Sequence, residues 1–244
     1  IADMTTDGTF TLGCAVSATV AVAGHPILAL PAAMIAGAAA GSVTALLQTK
    51  FRIPSILAGI ITNTGLYTVN LAVMGFSSNV NMMRTTTLFT LVQPSLGSFY
   101  KLLPAAVVTV LAGVLLVLFL KTRLGLSIRA TGDNPDMVRA SSINPVFTTT
   151  VGLCVANAFT GLSGCLLSQS QKSVNTDIGS GMVTIALASL LIGRTLMGKG
   201  GIFTRAVGMV LGMTLKENQS VVSFFASFAI YFVLCMIRKA VKKN

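Results

Sequence analysis

Apolar runs of about 20 residues recur along this chain, and they constrain its fold more than any other feature. An α-helix of that length crosses a hydrocarbon core of roughly 30 Å. Only 9% of the residues are charged and 53% are hydrophobic, so the composition is not that of an ordinary soluble domain. Alternating apolar and polar strands are absent, so the sequence predicts an all-α, polytopic membrane protein rather than a β-barrel.

Hydropathy predicts about eight membrane spans, folded together as one domain over residues 1–244. The chain starts within a motif-like segment, so we expect at least one further span to precede Ile1. The predicted spans are 9–24, 26–49, 53–74, 102–120, 147–167, 182–196, 202–215 and 221–237.

The basic residues lie beside the ends of the spans, and their distribution predicts the orientation of the chain. With the C-terminus in the cytoplasm, 13 of the 17 Lys and Arg residues fall on the inner side. Inverting the topology reverses this ratio, so we expect a cytoplasmic C-terminus and a multi-pass protein of the cell membrane. The net charge of +11 is therefore explained by orientation, and we expect no nucleic-acid partner.

The longest polar break, residues 121–146, falls on the predicted cytoplasmic side but contains helix-start signals. Asn134 can accept hydrogen bonds from free backbone N–H groups as an N-cap, and Pro135 suits the first helical position. These signals predict a short helix over residues 135–142. Asn144, followed by Pro145, forms the same cap-and-proline pair before the next span. A capped helix outside the bilayer indicates a docking surface. The predicted helix carries Met137, Val138 and Ala140 beside Arg139, so it is partly apolar.

The chain carries no recognisable catalytic or nucleotide-binding set. His25 is the only histidine, and its place beside Pro26 at a span end favours a structural role. The phosphate-binding pattern GxxxxGK[ST] is absent, so another subunit must supply the nucleotide site if ATP drives this protein. No Cys/His cluster predicts a metal site, and the cysteines are interpreted as small apolar residues.

Polar side chains inside the spans are candidates for lining a solute path. Asp7 precedes an apolar run and is expected to cap that helix, with a place near the path as the alternative. Asn63 and Asn70 share one helix face, and Asn157 and Thr160 share another. Such faces can line a conduit for a polar solute, or they can supply hydrogen bonds between helices.

Two small-residue faces, residues 37–41 and 208–212, permit close approach of helices. Packing inside the bundle is the simpler interpretation, and a dimer seam is the alternative. The connection at residues 75–101 mixes polar and apolar side chains, which suits either a surface facing an external partner or a solvated loop.

Residues 125–144 resemble the cytoplasmic signature of bacterial ATP-binding-cassette importer permeases, in the branch that contains ribose and branched-chain amino acid permeases. The chain departs from that pattern by carrying Ser142 where glycine is common. Residues 3–13 and 57–70 resemble a lipoprotein-dependent subgroup often assigned to tryptophan, tyrosine or related compounds. The residues that match the signature are Gly125, Arg129, Ala130, Gly132, Asn134, Ala140, Ile143 and Asn144.

The resemblance implies a permease subunit that binds no cofactor itself, in a bacterial cell membrane. Two permease chains, expected to be identical, would form the path, and two cytoplasmic ATPases carrying ATP and Mg would each receive the short helix. Met137 and Val138 would insert into an ATPase groove, while Arg139 could pair with an acidic groove edge. An extracytoplasmic lipoprotein would deliver the solute near residues 75–101. The expected ATPase-coupling residues are Gly125, Arg129, Gly132, Asp133, Asn134, Pro135, Met137, Val138, Arg139, Ala140 and Asn144.

Two other classes of function compete with the importer permease. A secondary transporter is the main alternative, and the scarcity of charged residues within spans disfavours it. A channel or purely structural membrane protein ranks third. Subgroup similarity favours an aromatic amino acid as the solute, whereas composition does not separate it from a sugar or a nucleoside.

Overall fold

A computed structural model of the chain describes residues 3–96 and 102–188. Contacts divide the chain into two compact units, residues 1–180 and 181–244, and every contact described below lies within the first. The predicted single domain over residues 1–244 stays a prediction. The elements in chain order are α1 (Thr6–Val22), α2 (Ala29–Thr49), α3 (Ser55–Val73), β1 (Asn79–Asn81), α4 (Leu88–Leu96), α5 (Leu102–Lys121), α6 (Arg123–Asp133), α7 (Pro135–Ala140), α8 (Pro145–Gln171) and β2 (Ser173–Asn175).

Four described helices are long and apolar enough to cross a membrane, and they match four of the predicted spans. The predicted span 9–24 corresponds to the apolar helix α1, which has 17 residues. The predicted spans 202–215 and 221–237, most of 182–196 and the small-residue face 208–212 lie outside the described residues. The total of eight spans therefore stays a prediction. The four matching segments are Ala29–Thr49, Ser55–Val73, Pro104–Lys121 and Pro145–Gln171.

Helices α2 and α8 pack at backbone contact distance through the small-residue face 37–41. A Cβ atom added to Gly37 would fall on the carbonyl oxygen of Asn157, and one on Gly41 would lie 2.6 Å from the Leu153 carbonyl oxygen. Larger side chains would force the two helices apart, because protein interiors leave little free space. This face therefore packs inside the chain, which confirms the simpler of the two interpretations.

Helix α1 runs parallel to α8 and begins about halfway along it. Asp3, just before α1, contacts Asn157, and Gly13 further along contacts Gly161. Asn157 lies twelve residues after Pro145, the first residue of α8, which is about 18 Å along the helix axis. The start of α1 is therefore at membrane depth, within the bundle.

A short antiparallel ribbon departs from the all-α prediction. Strand β1 pairs with β2 in the register Asn79 to Asn175, Val80 to Val174, and the Met82 N–H extends the pairing to the Lys172 carbonyl at 2.9 Å. Each strand has only three residues, which is too short for an alternating apolar and polar pattern to be recognised in the sequence. The two strands also lie more than 90 positions apart. We call the end of the bundle that carries β1, β2 and α4 the ribbon end, and the end that carries α6 and α7 the α7 end.

Candidate functional site

The polar break at the α7 end contains two helices, of which sequence reasoning found only the second. Helix α6 begins directly after Thr122, whose hydroxyl accepts a hydrogen bond from the Gly125 backbone N–H at 3.2 Å. Gly125 lies against the last turn of α5, where an added Cβ would be 2.5 Å from the Leu120 Cα. The cap residue Thr122 was the signal that could have revealed α6.

A buried hydroxyl pair joins α6 to the beginning of α8. The Thr131 and Thr148 hydroxyl oxygens are 2.8 Å apart, and both side chains are buried. The pair fixes α6 against the first turns of α8, because a buried hydroxyl that loses its partner carries a desolvation cost. The α7 end is therefore attached to the helix that carries Asn157.

The predicted caps of α7 and α8 are confirmed. The Asn134 Oδ1 accepts hydrogen bonds from the Asp136 and Met137 backbone N–H groups at 3.0 and 3.2 Å. The Asn144 Oδ1 accepts one from the Val146 N–H at 3.0 Å, and α8 begins at the proline that follows. Helix α7 is shorter than predicted, however, because it ends at Ala140 rather than at residue 142.

The turn after α7 contains a residue, Ser142, in the left-handed backbone conformation. This conformation explains why glycine is common at that position of the resembled signature. Ser142 has a φ of 59°, a conformation in which glycine carries no steric cost. The Ile143 N–H donates to the Val138 carbonyl at 3.2 Å, and the Ser142 N–H donates to the Arg139 carbonyl at 3.1 Å. This hydrogen-bond pattern is a Schellman motif, in which the left-handed position is usually glycine.

The two apolar residues of α7 have opposite environments, which corrects the expectation that both insert into a partner. Met137 is 69% exposed, whereas Val138 is only 4% exposed and belongs to the core of this chain. Successive residues on a helix point about 100° apart, so Val138 can face the rest of the chain while Met137 faces away from it. Of these two residues, only Met137 is available for contact with a partner.

Charged side chains surround Met137 on the same short helix. The Arg139 guanidinium lies 3.6 Å from the Asp136 carboxylate, and both side chains are mostly exposed. Exposed pairs of this kind contribute little to stability, so Arg139 can exchange this partner for an acidic group on another molecule. The other exposed members of the predicted coupling set are Arg129, Gly132, Asp133, Asn134, Ala140 and Asn144, and Gly125 is buried.

Three predicted path residues converge on the first turn of α1. Asp7 lies inside this turn rather than at the cap, because the N-cap residue is Thr5, so the capping prediction is wrong. The buried Asn70 amide donates to the Gly8 carbonyl at 3.2 Å. Asn63 also faces Gly8, since a Cβ added there would be 2.5 Å from the Asn63 Oδ1. Asn63 and Asn70 therefore share one helix face, as predicted, and the structure packs that face on α1.

Asn157 reaches the start of α1 from α8, whereas Thr160 does not take part in these contacts. The Asn157 amide is 1% exposed and donates to the Asp3 carboxylate at 2.8 Å and to the Leu153 carbonyl at 3.0 Å. Its Oδ1 is buried and has no hydrogen-bond partner within residues 3–96 and 102–188. Thr160 is more exposed and donates to the Ala156 carbonyl of its own helix at 3.1 Å.

Asp3 is the polar residue that sequence reasoning missed. It lines a cavity of about 260 Å³ between α6 and α8, together with Thr131 and Thr148. Its carboxylate also accepts the Thr5 N–H at 2.9 Å, just before α1. Its main side-chain partner, Asn157, is 154 positions away, so no local pattern indicates the pair.

The loop after β2 also returns to the start of α1. A Cβ added to Gly179 would fall on the Asp7 carbonyl oxygen, so the two backbones are in direct contact. Irregular backbone at membrane depth is tolerated only inside protein or beside a water-filled cavity. We call Asp3, Asp7, Asn63, Asn70 and Asn157 the interior polar cluster.

Residues 1–238 match the family model described as branched-chain amino acid transport system / permease component. The chain belongs to this permease family. The resemblance expected from residues 125–144 is thereby confirmed, and this is a permease of the ATP-binding-cassette importer type, in the branch predicted. As a transport component of several apolar helices, the permease is a multi-pass membrane protein and not a catalyst.

Individual relatives of the permease carry different substrate names. It is 32% identical over 235 residues to the tyrosine transport system permease protein of Clostridioides difficile. This match covers 96% of this chain and 74% of that protein. It is 30% identical over 123 residues to the D-allose transport system permease protein of Escherichia coli, covering 49% of this chain and 38% of that protein. A Rickettsia prowazekii protein without an assigned function is 32% identical over 194 residues, covering 80% and 67% respectively. No solved structure matches the chain.

Proposed function

We propose that this permease is the membrane subunit of an ATP-driven importer that takes up a small polar solute, with an aromatic amino acid or related compound as the favoured class. It works as a pair of identical chains in a bacterial inner membrane. Two ATPase subunits bind on the cytoplasmic side and carry ATP and Mg, and an extracytoplasmic lipoprotein delivers the solute. Family membership supports the general composition of this assembly.

The observation that carries the proposal is the capped helix α7 with its exposed methionine. Met137 is 69% exposed on a helix whose N-terminus is capped by Asn134, so the apolar side chain is held in place outside the bundle. Methionine adapts well to the shape of an apolar groove. The ATPase receives Met137 in such a groove, and an acidic groove edge pairs with Arg139. The excess of basic residues near the span ends supports a cytoplasmic location for α7 and the C-terminus.

The interior polar cluster is the proposed solute path. It surrounds the start of α1 at about the middle of α8, where a membrane carrier needs polar groups to replace water around its solute. The buried oxygen of Asn157 has no hydrogen-bond partner among the described residues, so it can accept a hydrogen bond from a solute that reaches it. Thr160 was expected to belong to this path, but it bonds its own helix, so we propose that it lies beside the path rather than in it.

The solute class follows from similarity and is therefore tested separately. The name of the Clostridioides difficile relative favours tyrosine or a related aromatic compound, and its similarity covers most of this chain. The Escherichia coli relative points instead to a sugar and covers about half of the chain. Thermal-shift screening of the partner lipoprotein against both classes discriminates them. Stabilisation by L-tyrosine but not by D-allose supports the aromatic class, and the reverse result contradicts it.

One observation favours the secondary transporter as a second candidate. Asp3 and Asp7 lie at membrane depth, where ion-coupled carriers keep ionisable groups. Uptake by cells or vesicles separates the two functions. Uptake that stops when ATP is depleted with the ion gradients intact supports the importer, and uptake that stops only when the gradients are collapsed supports the secondary transporter.

Co-purification with the ATPase tests the docking surface directly. Met137→Asp places a charge at the centre of the proposed contact without disturbing the core, because the side chain is exposed. Met83→Asp is the matched control, since Met83 is a 74% exposed methionine at the ribbon end. The ATPase should be lost from Met137→Asp and retained by Met83→Asp. Equal recovery of the ATPase with both variants would refute docking through α7.

A further inference from the structure

Gln169, near the end of α8, joins three separate segments at the ribbon end. Its side chain is 1% exposed. The Nε2 atom donates to the Pro26 carbonyl at 3.0 Å and to the Ser17 hydroxyl at 3.3 Å. The Oε1 atom accepts the Leu88 backbone N–H at 2.8 Å. One buried amide therefore connects α8 with α1, with the α1–α2 connection and with α4.

The bond to Leu88 positions α4. The first N–H groups of a helix have no partner inside the helix and must find one elsewhere. Thr87 caps part of this end, because its hydroxyl accepts the Thr90 N–H at 3.3 Å. The Leu88 N–H is satisfied by Gln169 instead, so the N-terminus of α4 is held by a residue of α8. The buried Phe89 adds apolar packing at the same point.

Helix α8 connects Gln169 to the α7 end without a break. It spans 27 residues, which corresponds to about 40 Å. Four residues separate it from the end of α7, and its first turn is fixed by the Asn144 cap and by the Thr131–Thr148 pair. A continuous hydrogen-bonded helix is a stiff element that can carry coupling between distant sites, so a displacement of α7 can reach Gln169 along α8. The amide then transfers it to α4 and to the α1–α2 connection.

We propose that Gln169 is a positioning residue that links the movement of α7 to the ribbon end of the permease. The inference rests on the proposed function, because the movement originates in an ATPase bound at α7. In this assembly, ATP-driven movement at one end changes the position of α4 at the other. If Gln169 cannot form its hydrogen bonds, α7 still docks and ATP is still hydrolysed, but the ribbon end no longer follows.

The experiment places an environment-sensitive fluorophore at the ribbon end and triggers the ATPase. Met83→Cys provides the labelling position, since this side chain is 74% exposed. The labelled permease is assembled with its ATPase in lipid nanodiscs, and MgATP with vanadate is added. The fluorescence should change in the otherwise unaltered protein. No change there, with ATP hydrolysis intact, would overturn the inference while leaving the proposed function in place. Loss of ATPase binding and hydrolysis would count against the proposed function itself.

Two variants remove the hydrogen bond between the Leu88 N–H and the Gln169 side chain, one at the acceptor and one at the donor. Gln169→Met keeps a long helix-forming side chain but loses every hydrogen bond. Leu88→Pro removes the N–H that Gln169 accepts, and proline is favoured at the first position of a helix. Both variants should lose the fluorescence change and keep basal ATP hydrolysis.

Gln171→Met is the matched control, because Gln171 is an exposed glutamine on the last turn of the same helix. It should keep the fluorescence change of the unaltered protein. If Gln169→Met assembles poorly, Leu88→Pro decides the outcome, since it leaves Gln169 in place. A full fluorescence change in Leu88→Pro would contradict the inference.

Discussion

The Asn157 side-chain amide donates to the Asp3 carboxylate at 2.8 Å, and this bond fixes the start of α1 beside the middle of α8. The two residues are 154 positions apart in the sequence. Their contact lies where the irregular backbone before α1 meets the middle of the continuous helix α8. A polar pair at this place serves both the architecture of the bundle and the proposed path, because it stabilises a helix start that lies within the membrane.

A double-mutant cycle measures the Asp3–Asn157 contact. Asn157→Ala and Asp3→Ala should each lower the unfolding temperature of the detergent-solubilised permease, and the double variant should lose less than the sum. A coupling of about 1 kcal/mol is expected for a hydrogen bond inside a helical membrane protein. Asp177→Ala, which removes an exposed aspartate, serves as the control and should not couple to Asn157→Ala. Strict additivity of the Asp3 and Asn157 effects would show that the bond contributes nothing.

Replacing one of two glycines tests the close packing of the bundle. A Cβ at Gly13 would fall on the Gly161 carbonyl oxygen, whereas a Cβ at Gly65 meets no atom of the described residues within 4 Å. Gly13→Ala should therefore destabilise the protein by about 1–3 kcal/mol, since overpacked helices must move apart. Gly65→Ala should be neutral or stabilising, because alanine favours a helix. Thermal unfolding in detergent checks both, and equal stabilities would refute the contact between α1 and α8.

Local signals were sufficient for the features that depend only on neighbouring residues. Asn134 and Asn144 each precede a proline, and this dipeptide predicted two helix starts that the structure confirms. The small residues at 37–41 predicted close packing for the same reason, because the absence of side-chain bulk is visible in the sequence. The lengths of the apolar runs fixed four spans within a few residues of their observed ends.

Features that depend on distant residues were not predictable in the same way. The burial of Val138 depends on how α7 lies on the rest of the chain, and nothing in residues 135–142 determines that. Gln169 looks like an ordinary polar residue near a span end, because its partners outside α8 lie 81 to 152 positions earlier. The paired strands β1 and β2 are also far apart in the sequence. Such contacts follow from the assembled bundle, whereas sequence patterns report local preferences.

Ser142 provides a test of the turn after α7. Its φ of 59° is costly for a residue with a Cβ atom, so Ser142→Gly should stabilise the permease by up to about 1 kcal/mol. The matched control is Ser141→Gly, which places glycine at a residue with a φ of −87° and should bring no gain. Thermal unfolding of the two variants checks the expectation. Destabilisation by Ser142→Gly would mean that the left-handed turn is absent.

Cross-linking at Met137 tests the central claim, that α7 binds the ATPase, more directly than any other measurement. Met137→Cys and Met83→Cys each introduce one exposed thiol, the first on α7 and the second at the ribbon end. A short thiol-reactive cross-linker is applied to membranes containing the permease and its ATPase, and products are detected by mass. Met137→Cys should give a permease–ATPase product, and Met83→Cys should not. A product from Met83→Cys alone, or from neither position in an assembled complex, would contradict this account.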